Sequence, residues 1–203
     1  MERVSSISAS RRLGGGAEIV LGSGERLVVS TARLAGFGLA RDDVIEDEVV
    51  AALRTASRLD GLEQRLLRLV AIRARSRAEL DRRLERWHVA PEEREALLDR
   101  LSAAGLLDDR AFAHQLSSSL QRGGHGSGRA AYELARLGVD DATASPTVAD
   151  HARADGEIAA TLLERRFGPP PYDAATRRRA AGLLARRGFD EDVIRPLLSL
   201  DDS

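Results

Sequence analysis

No cysteine and no lysine occur among the 203 residues of this chain. Without cysteine there can be no disulfide framework and no thiolate metal site. All 31 basic residues are therefore arginine, whose planar guanidinium suits carboxylates and phosphates. Aromatic residues make up only 3%, so a core must be built from Leu, Val, Ile and Ala, which favours closely packed helices. No apolar run reaches the roughly 18 residues needed to cross a bilayer. Residues 1–16 are basic and rich in Gly and Ser, without the apolar stretch of a secretory signal. These absences predict a cytoplasmic protein with no membrane partner.

Catalytic equipment is scarce as well. His88, His114, His125 and His151 show no metal-ligand spacing. No Gly-x-Ser-x-Gly elbow is present, and the paired carboxylates sit on polar helix faces. The run Gly123-Gly124-His125-Gly126-Ser127-Gly128-Arg129 lacks the preceding strand and the Lys of a phosphate loop. It reads as an interhelical turn. A weaker reading lets its amides, beside Arg122 and Arg129, hold one phosphate or carboxylate. The chain is thus read as a non-enzyme with no cofactor and no metal.

What the chain does contain is a repeat. Leu84, Leu134 and Leu184 lie 50 residues apart, each preceded four residues earlier by Leu80, Ala130 or Ala180. An apolar residue closes each block at Val89, Val139 and Phe189, and an Arg recurs at 86, 136 and 186. A period of about 20–50 residues marks one supersecondary unit stacked on itself. Each unit alone would be marginally stable, so burial against neighbours is required. A hydrophobic fraction of 43% is sufficient for such a core.

The organisation predicted is mainly α: three tandem three-helix repeats in an extended array, preceded by a small N-terminal region of β-hairpin plus helix. The bounds are 1–58 for the N-terminal arm, hairpin and helix, then 59–108, 109–153 and 154–203 for the repeats. Residues 1–16 read as a flexible arm. Glu18–Leu21 and Arg26–Val29 read as a hairpin about a Gly-rich turn. A helix capped by Asp42 or Asp43 runs to about Ser57 and Asp60-Gly61 breaks it. From Leu62 the pattern is helical. Ser76 with Glu79 makes a capping box and Pro91 opens a helix. The third helix of the middle repeat, Asp140 to His151, is interrupted by Pro146. A new helix begins near Asp155. Gly168-Pro169-Pro170-Pro171 is a stiff connector, Thr176 caps the next helix and Asp190 the last.

Net charge is −1, but it is unevenly spread. Residues 65–86 carry eight Arg against three acids, and residues 164–187 seven against two. Acids collect at 42–48, 190–192 and 201–202. At 100° per residue, Leu80, Leu84 and Trp87 share one side of their helix, and Arg82 and Arg86 lie opposite. The equivalent positions are Tyr132 with Arg136 and Gly182 with Arg186. The candidate binding residues are Arg82, Arg86, Arg122, Arg129, Arg136, Arg178, Arg179, Arg186 and Arg187. Charge repeated at equivalent sites suits a regular polymer, either a nucleic-acid backbone or a protein filament. The helices that would enter a major groove begin Pro91-Glu92-Glu93, Asp140-Asp141 and Asp190-Glu191-Asp192. Acids there oppose sequence reading.

Ser76-Arg77-Ala78-Glu79-Leu80 with Leu84, Leu97-Leu98-Asp99-Arg100-Leu101, and Gly105-Leu106-Leu107-Asp108-Asp109-Arg110-Ala111-Phe112-Ala113 resemble the central signature of RecX regulatory proteins. Leu183-Leu184-Ala185-Arg186-Arg187-Gly188-Phe189 followed by Val193-Ile194 is similar to that family's C-terminal repeat. The resemblance covers residues 60–198. It implies a regulator that lies in the groove of the RecA recombinase filament and dampens its activity in recombination and the DNA-damage response. It also implies weak, nonspecific binding of single- or double-stranded DNA, by a monomer without catalytic residues. Two other classes fit the residues alone: a small helical DNA-binding or transcription-regulating protein, and a repeat adaptor that binds only protein.

Overall fold

In a computed structural model, which describes residues 1–10 and 15–198, the chain forms two compact units, one from Met1 to Arg73 and the other from Ala74 onward. The first contains an antiparallel sheet of β1 (Glu2–Ser10), β2 (Gly16–Leu21), β3 (Arg26–Ser30) and β4 (Val44–Ile45), in the order β3-β2-β1-β4. The predicted hairpin is present as β2 and β3. The segment read as a flexible arm is instead strand β1 as far as Ser10, lying between β2 and β4; residues 11–14 are outside the described residues. Its pairing register shifts between Val4 and Ser6. That irregularity breaks the period-two alternation by which a strand is recognised.

Helix α1 (Thr31–Phe37) ends at Gly38 in the left-handed conformation, and α2 (Asp47–Ile72) follows. The helix expected from Asp42 or Asp43 to Ser57 therefore starts later and runs further. Val44 and Ile45 pair with Arg3 and Glu2 as β4, and Asp60-Gly61 does not break α2. Asp60 is buried. Its carboxylate accepts the Ser30 amide at 2.6 Å and Arg33 Nε at 2.7 Å. Ser57 Oγ accepts the Val28 amide at 3.0 Å. These two side chains satisfy the edge of β3 that faces away from β2, as an edge strand requires. Gly61 costs about 1 kcal/mol of helix propensity relative to Ala. Hydrogen bonds to a charged group contribute about 1.5–3 kcal/mol each, which outweighs it. Val50, Leu53 and Ala56 of α2 complete the core formed by Val4, Ile19, Leu21, Leu27, Val29 and Ile45.

The second unit is helical: α3 (Arg77–Arg86), α4 (Pro91–Ala103), α5 (Asp109–Arg122), α6 (Ser127–Leu137), α7 (Asp141–Phe167), α8 (Ala174–Arg187) and α9 (Glu191–Leu198). The Ser76–Glu79 capping box forms, and Pro91 occupies the first turn of α4. Asp173, not Thr176, caps α8, accepting the Thr176 amide at 2.6 Å. The expected interruption at Pro146 and the new helix near Asp155 are both replaced by the continuous 27-residue α7. Its buried positions include Ala144, Thr147, His151, Asp155, Ala159 and Leu162. These follow a helical spacing, but three of them are polar, so the stripe is invisible to an apolar-periodicity reading.

The 50-residue period is the repeated second helix: α3, α6 and α8. Leu84, Leu134 and Leu184 are fully buried, with Leu80, Ala130, Ala180, Val89, Val139 and Phe189 buried beside them. Each helix ends in the same C-terminal turn. The amides of Val89, Val139 and Phe189 donate to the carbonyls of Leu84, Leu134 and Leu184 at 3.2, 3.0 and 3.2 Å. The intervening residue is left-handed each time: His88 at φ 58°, Gly138 at 81° and Gly188 at 83°.

Gly138 and Gly188 also make close approaches that His88 does not. A Cβ on Gly138 would lie 2.5 Å from Cβ of Ala78, and one on Gly188 would lie 2.4 Å from the Arg129 amide. A left-handed non-glycine residue costs about 1–2 kcal/mol before any clash. Gly138→Ala or Gly188→Ala should therefore each destabilise the second unit by at least about 2 kcal/mol in urea denaturation followed by Trp87 fluorescence, while His88→Gly should not. Asp60→Ala should expose the Ser30 amide to faster hydrogen exchange and cost about 2–3 kcal/mol; Asp60→Asn, which keeps an acceptor for Ser30, should cost less.

Candidate functional site

The recurrent arginines stand on helices docked end to end. The N-terminus of α3 receives the C-terminal end of α6: Ser76 Oγ and Arg82 Nη2 donate to the Leu137 carbonyl at 2.7 and 3.0 Å. Fifty residues on, the N-terminus of α6 receives the C-terminal end of α8. There the Gly126 and Gly128 amides donate to the carbonyls of Arg187 and Gly188 at 2.9 and 3.0 Å. A carboxylate from the next repeat completes each junction. Asp109 accepts the Arg77 amide at 2.8 Å. Buried Asp155 accepts the Ser127 amide at 3.0 Å and its hydroxyl at 2.6 Å. In both cases negative groups meet the unsatisfied N–H groups and positive dipole end of a helix.

This arrangement overturns the phosphate reading of the Gly123–Arg129 turn. The amides of 126, 127 and 128 are engaged by the α8 carbonyls and by Asp155, so the helix end already holds its anion, supplied from within the chain. A Cβ on Gly126 would sit 2.4 Å from the Gly188 carbonyl oxygen, so these glycines serve close approach rather than flexibility. Asp109 and Asp155 were not anticipated as junction residues. They are 46 residues apart, and the repeat period of 50 does not register them.

The candidate arginines separate into two groups. Arg82 and Arg187 hold junctions, Arg187 donating to the Gly123 carbonyl at 2.6 Å. Arg129 and Arg136 flank Glu133 and pair with it, and Arg129 lies over the Tyr132 ring at 5.5 Å. Arg179 lies over Phe167 at 5.9 Å and bonds Thr176. Arg86, Arg122, Arg178 and Arg186 are exposed and have no hydrogen-bond or ion-pair partner among the described residues. Arg86, Arg136 and Arg186 are all solvent-facing, opposite the buried leucines.

Two clefts repeat with the helices. One of about 380 Å³ is lined by Arg77, Ala78, Asp81, Pro91, Glu95, Leu98, Asp109, Gly138 and Asp140. The other, about 490 Å³, includes Ser127, Ala131, Asp141, Ser145, Val148 and Asp190, six positions displaced by 50 from residues of the first. Carboxylates among the lining residues, Asp81, Glu95, Asp109 and Asp140 in one and Asp141 and Asp190 in the other, make both poor receptors for phosphate. Beneath the second junction, His151 is buried, with Nε2 3.0 Å from the His125 carbonyl and Nδ1 2.9 Å from Ser117 Oγ. Donation from Nε2 to the carbonyl leaves Nδ1 to accept from Ser117 in the neutral ring.

Comparison with known proteins places this architecture. A family model described as the second three-helix domain of RecX matches residues 108–145, and one described as its third three-helix domain matches residues 155–198. The regulatory protein RecX of Xanthomonas campestris pv. campestris is 39% identical over 133 residues, 65% of this chain and 82% of that protein. The chain belongs to the RecX family. The RecX of Mycolicibacterium smegmatis is 36% identical over 143 residues, 66% of this chain and 76% of that one. A crystal structure of a regulatory protein RecX shares the fold at a TM-score of 0.75 and 22% identity, covering 97% of this chain and 98% of that chain. RecX from Lactobacillus salivarius does so at 0.62 and 18%, covering 71% and 96%. These relatives are named regulatory proteins, and no described helix of this RecX-family chain is long and apolar enough to cross a membrane.

His125 gives the junction a pH dependence. Burial holds its pKa below the usual 6.5, and the charges of Arg187 and Arg129 depress it further; Nδ1 is buried without a hydrogen-bond partner among the described residues. The folded state thus binds fewer protons than the unfolded state as pH falls below 6.5, so stability must decline there. Thermal melting of the full chain should show this decline between about pH 6.5 and 5, above the carboxylate titrations. His125→Asn should flatten it; an unchanged slope would place its origin elsewhere.

Proposed function

We propose that this chain binds the filament formed by a RecA-type recombinase on DNA and dampens its activity in homologous recombination and the DNA-damage response, acting as a cytoplasmic monomer. One observation carries the reading: Arg86, Arg136 and Arg186 are exposed at one equivalent site on three helices that dock end to end. The units 59–108, 109–153 and 154–203 then each present one cation to a partner that repeats its own charge. A filament does so, and family membership supports that partner. Contact with DNA alone is weak, electrostatic and indifferent to sequence, since phosphates are neutralised by Arg while acids open α4, α7 and α9.

Replacing Arg86, Arg136 and Arg186 together with Gln removes the charges without setting a second acid beside Glu133. Exposed substitutions shift stability by about 0.5 kcal/mol or less each, so helical circular dichroism and melting temperature should be close to the parent's. Linked contacts reinforce one another through effective concentration. The concentration needed to inhibit a RecA ATPase assay on single-stranded DNA should therefore rise at least about tenfold. Equal inhibition by the folded variant would reduce the repeated Arg to a compositional accident.

A further inference from the structure

Tyr132 is the one aromatic residue whose position the fold does not explain. The chain has seven aromatic side chains. Phe112, Tyr172 and Phe189 are buried, and Phe37, Trp87 and Phe167 are partly buried. Tyr132 is 59% exposed in the middle of α6. Its equivalents one repeat away are Arg82 and Gly182, so the repeat does not need a ring there. Arg129 and Arg136 stand three residues before it and four after it, on the same helical stripe. Both are drawn to Glu133, whose carboxylate is largely buried between them (12% exposed). Arg129 also lies over the Tyr132 ring at 5.5 Å. An exposed ring results, with one guanidinium over it and a second one helical turn further along. The helix junctions bring Arg82 to the C-terminal end of α6 and Arg187 to the turn before its N-terminal end, so basic side chains stand beyond the ring at both ends of the helix.

We propose that Tyr132 is a stacking platform for an unpaired base of single-stranded nucleic acid, with Arg129 and Arg136 taking the flanking phosphates. This rests on the nucleic-acid part of the function proposed above and makes it selective for single strands. A duplex keeps its bases stacked on one another and offers only phosphates to the same surface. An aromatic face accepts any base, so selectivity for the single strand arises without selectivity for sequence.

The test is fluorescence anisotropy of the full-length protein with three labelled probes of equal length: oligo(dT), the same backbone made abasic, and a duplex. Tyr132→Ala should lower affinity for oligo(dT) about tenfold and leave the abasic strand and the duplex unchanged. The salt slope should stay the same, because no phosphate contact is lost. Tyr132→Phe should bind like the parent. Arg129→Gln with Arg136→Gln should weaken all three probes and reduce the salt slope. Unchanged binding of oligo(dT) by Tyr132→Ala overturns the proposal. So does a variant that binds oligo(dT) normally but loses inhibition of the recombinase, which would assign the ring to a protein contact. A parent that binds oligo(dT) through Tyr132 yet does not inhibit the recombinase would leave this site standing and remove the filament reading.

Discussion

The second unit depends on one contact made twice: the C-terminal end of a helix set against the N-terminal end of the equivalent helix in the preceding repeat. An N-terminus offers unsatisfied amides and a partial positive charge, and a C-terminus offers carbonyls and a partial negative charge. Joining them satisfies both without water. At the α6–α8 junction carbonyls reach amides directly because glycine at 126, 128 and 188 leaves no side chain between them; at the α3–α6 junction the Leu137 carbonyl is met by the side chains of Ser76 and Arg82, and Gly138 leaves room for Ala78. The array closes at its ends by other means. The α3 C-terminus carries His88 where the interior carries glycine, and the α8 N-terminus is capped by its own Asp173.

Buried polar groups give this aromatic-poor protein its specificity of packing. Asp60, Asp155, Ser127 and His151 are each buried and each bonded to a backbone group, a hydroxyl or, for Ser127, the Asp155 carboxylate. An unbonded polar group in such a place costs about 1–3 kcal/mol or more, so these contacts penalise any other register of the helices. They also divide the arginines. Arg82 and Arg187 are committed to junction carbonyls, while Arg86 and Arg186 remain free for a partner. An Arg-rich composition therefore overstates the number of uncommitted guanidinium groups, and the helix ends take up part of them.

The repeat was legible because it is written in large apolar residues. Leu84, Leu134 and Leu184 predicted the buried face, and the exposed positions of Arg86, Arg136 and Arg186 followed from geometry. The capping box at Ser76 and Glu79 and the first-turn Pro91 were equally readable, being local. Strand β1 was not, since a register shift at Val4–Ser6 broke its alternation. Nor was the continuity of α2 and α7. Asp60-Gly61 and the stretch from Thr147 to Asp155 look like breaks when polar residues are assumed to face solvent.

The sequence by itself determined the helical class, the period of 50 residues, the buried leucines and the arginines opposite them, because helix periodicity and capping act within a few residues. Only the tertiary structure decided which amides of the glycine turn were already occupied, which arginines were spent on carbonyls, and that Asp109 and Asp155 play the same part at two separate junctions. Those outcomes hang on approaches between residues 28 to 64 positions apart. There, a hydrogen bond of about 3 Å or a missing Cβ settles the chemistry, and no local pattern records it.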